Sequence, residues 1–482
     1  MTGGGKLSVK STRRNFLRCA GAAAGGALLT PSKLSLALAT EGARVVAVPA
    51  QQADYTLTIA VKPIELAPDR IVSVTTYNGQ FPGPLLRFKE GQPVTVDIHN
   101  ETDTAEQLHW HGQAIPADVD GAAEEGTPFI PAHGSRRITF TPKPSGFRFY
   151  HTRSRGRRSG GGTIQRAGGS GVYRAEKQPG RLRPRSLSHD EGVRADAQPG
   201  RRYAMDFLSP AAEVAALKEK GETAMKASLA KGNPHGYEVG YRSFTINGKM
   251  LRHGEPVRVK QGERVLFHVL NGSATEIRSL YLPGHSFTIV ATDGNPLPQP
   301  VRVPGLWLGT AERISAVVEM NHPGVWVMGD LADDDRHNGM GIVVEYAGYR
   351  GKAQWIPPKP FKWNYAHLGA SADPATQPDE TFEMLFEKKN AAADGFNLWT
   401  INGVAYPDSQ MMAAPSFHLH EGRRYRLRME NASDDIHPVH LHRRIFELRR
   451  IAGQPTSGVM KDVMMLGGYQ EAEVDFVADN PE

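Results

Sequence analysis

The chain has 482 residues, of which 39% are apolar and 22% are charged, and its net charge at pH 7 is +6. This length is enough for about three domains of average size, and the 51 Gly and 34 Pro favour short strands and turns over helical bundles. The net positive charge comes from residues 1–39 and 153–202, and the rest of the chain is net negative. This distribution excludes a basic face for nucleic acid on the folded body.

The N-terminus has the features of an export signal. Residues 11–17 read Ser-Thr-Arg-Arg-Asn-Phe-Leu, which matches the twin-arginine pattern, and an Ala/Gly/Leu-rich stretch follows. Because Ala37-Leu38-Ala39 is a small-x-small cleavage site, we predict a signal peptide at 1–39, the twin-arginine export machinery as a partner, and a periplasmic or secreted mature protein. The apolar run is too short to cross a bilayer, which argues against a stable membrane anchor. The only Cys of the chain, Cys19, lies inside this signal.

A pattern of Gly, alternating apolar residues and Asn occurs three times, and each copy follows an Asn-Gly turn. Gly precedes Asn by nine residues in every copy: Gly91 and Asn100, Gly262 and Asn271, Gly422 and Asn431. The alternation is that of half-buried strands, and the spacing of the copies is the size of a whole β domain. We therefore predict an all-β fold of three consecutive β-sandwiches. The predicted domains are 45–152, 203–350 and 381–482, with a linker at 351–380.

Two segments depart from the repeat. Residues 153–202 hold twelve Arg and ten Gly without a strand or helix period, so composition predicts an irregular, disordered linker. Its abrupt start within an apolar strand leads to the hypothesis of a shifted reading frame, and normal patterning returns with a surface helix at 210–232. A strand after a Pro/Gly turn should close each sandwich, but the chain ends at Glu482, just after the third such turn. We therefore expect the third sandwich to lack its last strand and to expose a sheet edge.

Two histidine pairs occupy equivalent positions in the first and third repeats. His109 and His111 lie nine and eleven residues after the repeat Asn, as do His440 and His442 in the third copy. Alternate residues of a strand point to the same face, and neutral imidazoles bind copper well. The middle repeat has Leu at both positions. The sequence thus predicts a copper site between the first and third domains, with the middle domain serving for spacing and support.

These motifs resemble those of the multicopper oxidases, the superfamily of laccases and bilirubin oxidases. The resemblance covers nearly all of residues 45–482 and rests on three motifs: His109-Trp110-His111-Gly112, Tyr150-His151 and His437-Pro438-Val439-His440-Leu441-His442. It implies three cupredoxin-like Greek-key domains, one type 1 copper, and a trinuclear type 2/type 3 copper cluster between the first and third domains. It also implies that a small substrate is oxidised one electron at a time and that dioxygen is reduced to water.

The resemblance gives each histidine a role. It places His109 and His440 on the type 2 copper and His437 on the type 1 copper. The type 3 pair receives His111, His151 and His442. Asp120, in an Asp-Val-Asp-Gly motif, is implied as an aid to proton delivery, and a turn acid before Gly is an equal alternative.

The chain departs from the family pattern at two places. The family has a second His where this chain has Arg153, and Arg does not bind copper because it stays protonated. The fourth motif, His-Cys-His with a further His, does not occur before Glu482, so the type 1 site is incomplete because its Cys and one His are missing. We therefore expect this chain to be a poor or inactive oxidase.

Other functions stay open at the level of the sequence. One is a non-catalytic exported cupredoxin scaffold, which the missing ligands favour, and another is a copper-resistance protein. The three repeats argue against a two-domain copper nitrite reductase. The reducing substrate also stays open, since a phenol, a bilirubin-like pigment or a metal ion would each suit a copper oxidase.

Overall fold

The structure, a computed structural model, describes most of the chain after the predicted signal. The described residues are 52–154, 168–174, 183–190, 204–205, 211–229, 242–273, 275–370, 377–393, 396–405 and 417–480. The predicted signal peptide at 1–39 lies outside them, as do parts of the Arg/Gly-rich segment. Residues 53–482 pack as one unit. Among the helices described, none is long and apolar enough to cross a membrane.

The first sandwich consists of two four-stranded sheets around an apolar core. Its strands, numbered in chain order, are β1 (Tyr55–Ala67), β2 (Arg70–Tyr77), β3 (Gly83–Lys89), β4 (Val94–Asn100), β5 (Glu106–His111), β6 (Ser135–Phe140), β7 (Phe147–Ser154) and β8 (Gly168–Arg174). The sheet orders are β2-β1-β4-β6 and β3-β8-β7-β5. A short helix, α1 (Ala117–Asp120), and a 3-10 turn (Ala123–Glu125) lie between β5 and β6.

The middle sandwich has a six-stranded and a five-stranded sheet, with orders β11-β9-β13-β18-β15-β16 and β12-β20-β19-β14-β17. The elements of this region are β9 (Arg183–Asp190), β10 (Ala204–Met205), α2 (Ala211–Leu229), β11 (Thr245–Ile246), β12 (Val257–Val259), β13 (Arg264–Asn271), β14 (Arg278–Tyr281), β15 (Phe287–Thr292), β16 (Asn295–Val303), β17 (Gly305–Leu308), β18 (Arg313–Glu319), β19 (Val325–Gly329), α3 (Asp333–His337), β20 (Gly341–Tyr346), β21 (Lys362–Trp363) and a 3-10 turn (Tyr365–Leu368). Strands β10 and β21 pair separately.

The third sandwich has a seven-stranded sheet, β24-β23-β22-β25-β30-β27-β28, and a two-stranded sheet, β26-β29. Its strands are β22 (Glu380–Ala393), β23 (Phe396–Ile401), β24 (Val404–Ala405), β25 (Arg424–Asn431), β26 (His437–His440), β27 (Phe446–Ile451), β28 (Gln454–Lys461), β29 (Val463–Leu466) and β30 (Glu471–Val477). One apolar core is continuous through the middle and third sandwiches. The two are therefore held together by buried apolar area as well as by the chain.

All three sandwiches repeat one pairing scheme. The first strand of each runs parallel to the strand that ends at the repeat Asn: β1 beside β4, β9 beside β13, and β22 beside β25. That second strand is antiparallel to β6, β18 and β30 respectively. The prediction of an all-β fold built from consecutive sandwiches is thus confirmed.

The prediction that residues 153–202 form a linker without regular structure is wrong for two stretches. Strand β8 pairs with both β3 and β7, and β9 pairs with β13 in the place that β1 and β22 take in the other sandwiches. Sheet pairing is made by backbone N–H and C=O groups, so flanking strands can hold a segment that has no apolar alternation. Composition alone therefore missed these strands. Helix α2 lies within the range predicted for a surface helix.

A buried Asn ties the end of each repeated strand to the loop that follows. Asn431 Nδ2 donates to the carbonyls of Asp435, at 2.7 Å, and Gly467, at 2.8 Å. Its Oδ1 accepts from the backbone N–H and the hydroxyl of Ser433, at 2.9 and 2.7 Å. The same pattern joins Asn100 to Thr102 and Asn271 to Ser273. This brace sets the path of the chain into the next strand, which carries histidines in the first and third copies.

Candidate metal centre

The histidines of the first sandwich lie on neighbouring strands. Strands β5 and β7 are antiparallel, and their register places His109 directly opposite His151. Successive side chains of a strand alternate, so His109 and His111 share one face of β5 while Trp110 enters the apolar core on the other. His109 and His111 are buried, and the ring centroid of His109 lies 5.4 Å from that of His111 and 5.2 Å from that of His151.

The third sandwich brings two further histidines to the same place. His440 ends β26, which is held at this position by its antiparallel partner β29, and His442 follows in the next loop. The Nε2 atoms of His109 and His440 are 3.4 Å apart. The His440 ring stacks on that of His111 at 3.7 Å, and the His442 ring lies 4.4 Å from that of His109. Five of the six predicted histidines therefore converge between the two sandwiches.

One nitrogen of each ring in this cluster faces a hydrogen-bond acceptor. The Nδ1 atoms of His109, His151 and His440 each face a backbone carbonyl, at 2.6, 3.2 and 2.6 Å. Because a carbonyl oxygen only accepts, these Nδ1 atoms carry a proton, and in the neutral ring the lone pair is then on Nε2. His442 Nδ1 donates to a carboxylate in the same way. Such contacts to the second nitrogen are the usual means of orienting histidines that bind metals.

Burial keeps the central imidazoles neutral. It lowers the pKa of His111 well below the ordinary value, and the neighbouring His440 ring lowers it further. Burial and the His442 ring act in the same direction on the pKa of His440. A neutral imidazole is the form that binds a metal. The ring nitrogens of His109, His440 and His442 lie within 4.8 Å of one another, as do those of His109, His111 and His151, so this donor set fits copper ions.

Asp120 lies at the end of helix α1, fully buried beneath the cluster. Its Oδ2 accepts from His442 Nδ1 at 2.8 Å and lies 3.4 Å from His109 Nδ1. Burial raises the pKa of the Asp120 carboxyl, but the charges and hydrogen bonds of His109 and His442 outweigh it and hold the pKa well below its usual range. Within the described ranges, Oδ1 of this carboxylate has no hydrogen-bond partner.

Asp462, between β28 and β29, is a site residue that the sequence analysis missed. Its Oδ1 lies 3.1 Å from His111 Nε2, and its backbone carbonyl accepts the 2.6 Å hydrogen bond from His440 Nδ1. His111 Nε2 carries the proton that it donates to this carboxylate. The lone pair that could bind a metal is therefore on Nδ1 of that ring. One signal was present in the sequence: Lys461 and Asp462 are two adjacent charges inside an otherwise apolar stretch that ends in Val-Met-Met-Leu.

His437 does not join the cluster in the structure. Its Nε2 lies 3.1 Å from the hydroxyl of Ser433, and its ring stacks on Phe386 at 5.4 Å. Burial lowers the pKa of His437. Of the groups of three or more possible ligands found among the described residues, none includes His437. Arg153, which stands where the family has a second His, pairs through its backbone with Gln107 in the register of β5 and β7. The structure does not describe its side chain.

Comparison with known proteins identifies the same family that the sequence motifs resemble. Three models described as multicopper oxidase match residues 60–176, 218–347 and 375–482. The chain belongs to the multicopper oxidase family. It is therefore a copper-binding oxidoreductase of that family, whose members couple the one-electron oxidation of a substrate to the reduction of dioxygen to water.

Individual members of the family are distant in sequence. The chain is 26% identical to multicopper oxidase MmcO of Mycobacterium tuberculosis over 85% of this chain and 79% of that protein. It is also 26% identical to copper resistance protein A of Escherichia coli, but it spans only 53% of that protein's length. The crystal structure of Fet3p, a multicopper oxidase that functions in iron import, superposes with a TM-score of 0.69 at 17% identity, covering 89% of this chain and 85% of the other. This structural likeness supports the fold.

Proposed function

We propose that the five clustered histidines hold the copper ions of a type 2/type 3 cluster. In this proposal His109 and His440 bind the type 2 copper, one from each sandwich. The type 3 ligands are His111, His151 and His442. The observation that carries the proposal is the convergence of five imidazoles between the first and third sandwiches, each with one ring nitrogen facing a hydrogen-bond acceptor. Burial keeps two of them, His111 and His440, in the neutral form that binds a metal.

When bound, copper would accept electrons one at a time from a reducing substrate and supply them to dioxygen. The chain's own residues prepare the site in three ways. The acceptors on the second ring nitrogens hold the imidazoles in place before any metal arrives, which reduces the reorganisation that binding requires. Burial excludes bulk water from His109 and His111. Reduction of dioxygen consumes protons, and we assign Asp120 an assisting role in this step because its buried Oδ1 has no hydrogen-bond partner among the described residues and can accept a hydrogen bond from a proton donor beside the cluster.

The region around His437 does not fit a type 1 copper. A blue copper site needs a thiolate, and the described residues around His437 include no Cys. The only Cys of the chain is Cys19, in the predicted signal. We therefore derive no step through a type 1 ion and assign to His437 only the contacts that it makes with Ser433 and Phe386.

We further propose export through the twin-arginine pathway to the periplasm or the exterior, because residues 11–39 carry its sequence features. The reducing substrate is a phenol, a pigment or a metal ion. Copper resistance is a second candidate function, favoured by the similarity to copper resistance protein A. A non-catalytic scaffold would keep the fold but would not need five convergent imidazoles.

Metal analysis of the purified protein tests the proposal. After reconstitution with copper, the protein should bind it with a stoichiometry that falls in His109→Gln and His440→Gln variants. Oxygen consumption with a phenol and with cuprous ion as alternative substrates then separates a phenol oxidase from a cuprous-ion oxidase. Absence of stoichiometric copper in the correctly folded protein would contradict the metal centre and favour the scaffold.

A further inference from the structure

Six charged side chains lie buried together where the three sandwiches meet. Each is at most 2% exposed, and the three positive and three negative charges cancel. The first sandwich contributes Arg148, the middle one Asp293, Glu312 and Arg313, and the third Lys461 and Asp462. Burying ion pairs carries a large desolvation penalty, and apolar side chains of similar size would join the sandwiches at least as well. Holding the sandwiches together therefore does not explain why these six charged residues are buried here.

Arg313 is the residue that fixes the position of Asp462. Its Nη1 donates to Asp462 Oδ1 at 2.7 Å, and its Nη2 donates to Oδ2. The backbone N–H of Arg313 donates to Asp293 Oδ1 at 2.9 Å, and Arg148 Nη1 adds a contact to Asp462 Oδ2 at 3.3 Å. A two-bond contact between guanidinium and carboxylate restricts both distance and rotation. The Asp462 carboxylate thus has one allowed orientation.

Asp462 in turn contacts ligands from both sides of the cluster. Its side chain holds His111 of the first sandwich through Nε2, and its backbone carbonyl holds His440 of the third through Nδ1. The carboxylate packs directly against Gly112, where a Cβ atom would clash with it. The residue after His111 therefore leaves room for this carboxylate.

We propose that Arg313 is a positioning residue of the metal centre, which sets the orientation of His111 and His440 through Asp462. The middle sandwich has Leu280 and Leu282 at the ligand positions, so it supplies no ligand there, yet through Arg313 it determines how the other two sandwiches present theirs. The inference rests on the proposed function for its link to copper. Its link to the orientation of His111 does not depend on copper.

The test begins with metal-free protein labelled with 15N in its histidines. In the wild type, the NMR spectrum should show His111 as the Nε2–H tautomer with a slowly exchanging proton, assigned by comparison with His111→Gln. In Arg313→Met this signal should shift and its proton should exchange faster, and Arg313→Lys should lie between the two. The matched control is Arg426→Met, which removes a two-bond contact to the buried Asp475 on the outer face of the third sandwich.

Copper titration of the same proteins completes the test. We expect Arg313→Met to bind copper about 10- to 100-fold more weakly than the wild type, as is typical when a partner of a ligand is lost, and Arg426→Met to bind as the wild type does. An unchanged His111 signal in Arg313→Met would overturn the inference, as would equal losses in Arg313→Met and Arg426→Met. If Arg313→Met does not fold, the His111 signal of Arg313→Lys decides in the same way. A wild type that binds no copper but shows the Arg313-dependent His111 signal would refute the copper site and keep the positioning role.

Discussion

Gly121, which follows Asp120 at the end of helix α1, allows the loop after α1 to approach strand β5, which carries His109 and His111. Its backbone has φ +90°, a conformation that favours glycine, and a Cβ placed there would lie 2.5 Å from His109 Cα and 2.6 Å from His109 N. It would also overlap the carbonyl of Leu108. Because these atoms belong to the backbone of β5, they cannot rotate away. We therefore predict that Gly121→Ala displaces β5 from the loop and with it His109 from His442.

The magnitude follows from comparing two glycines of one loop. Gly126 also has a positive φ, +101°, but a Cβ there meets no atom within 4 Å. The left-handed conformation costs any non-Gly residue roughly 1–2 kcal/mol, and this applies to both variants. Forcing an atom into a filled space adds about 1–3 kcal/mol, and this applies to Gly121→Ala alone. The difference between the two variants thus isolates the close approach.

Urea unfolding of the metal-free variants measures this difference, and copper titration shows its effect on the site. Gly121→Ala should be less stable than Gly126→Ala by about 1–3 kcal/mol. It should also bind copper more weakly, whereas Gly126→Ala should bind it as the wild type does. Equal stability and equal copper affinity of the two variants would refute the reasoning.

Three further predictions concern single residues. His440→Gln should lose bound copper in metal analysis, whereas His367→Gln, which alters an exposed imidazole, should keep it; full copper in both would contradict the assigned ligand. Asn431→Ala should lower the free energy of unfolding by about 1–3 kcal/mol for each buried partner left unsatisfied, and a wild-type urea midpoint would argue against the brace. Burial lowers the pKa of His268 from 6.5 to about 4. Between these values the unfolded chain binds the proton that the folded chain excludes, so stability falls as the pH drops, and His268→Gln should flatten this slope in pH-dependent unfolding.

The repeat made much of the fold and four of the five clustered histidines predictable, and the family resemblance added His151. The nine-residue spacing from Gly to Asn marks one strand, and the buried Asn at its end fixes the path into the next. His109 and His440 therefore occupy the same place in two copies, as their equal offsets from Asn predicted. Period and offset are local properties of the chain, which is why the sequence reveals them.

Contacts between distant strands were not predictable in this way. Asp462 lies 149 residues from Arg313, and neither has a repeat partner whose chemistry signals a role. Strands β8 and β9 were missed for a related reason, since their pairing depends on the open edges of neighbouring strands rather than on their own side chains. In both cases the information lies in the assembled fold and not in a local pattern.

The balanced charges at the junction also have a consequence for the order of assembly. Asp462 of the third sandwich pairs with Arg148 of the first and Arg313 of the middle one, so the third sandwich folded alone leaves this carboxylate without the partners that make its burial tolerable. We therefore expect the docking of the three sandwiches to be cooperative. His111 gains its contact with Asp462 only once the first and third sandwiches have docked, so we expect the proposed copper ions to bind after folding.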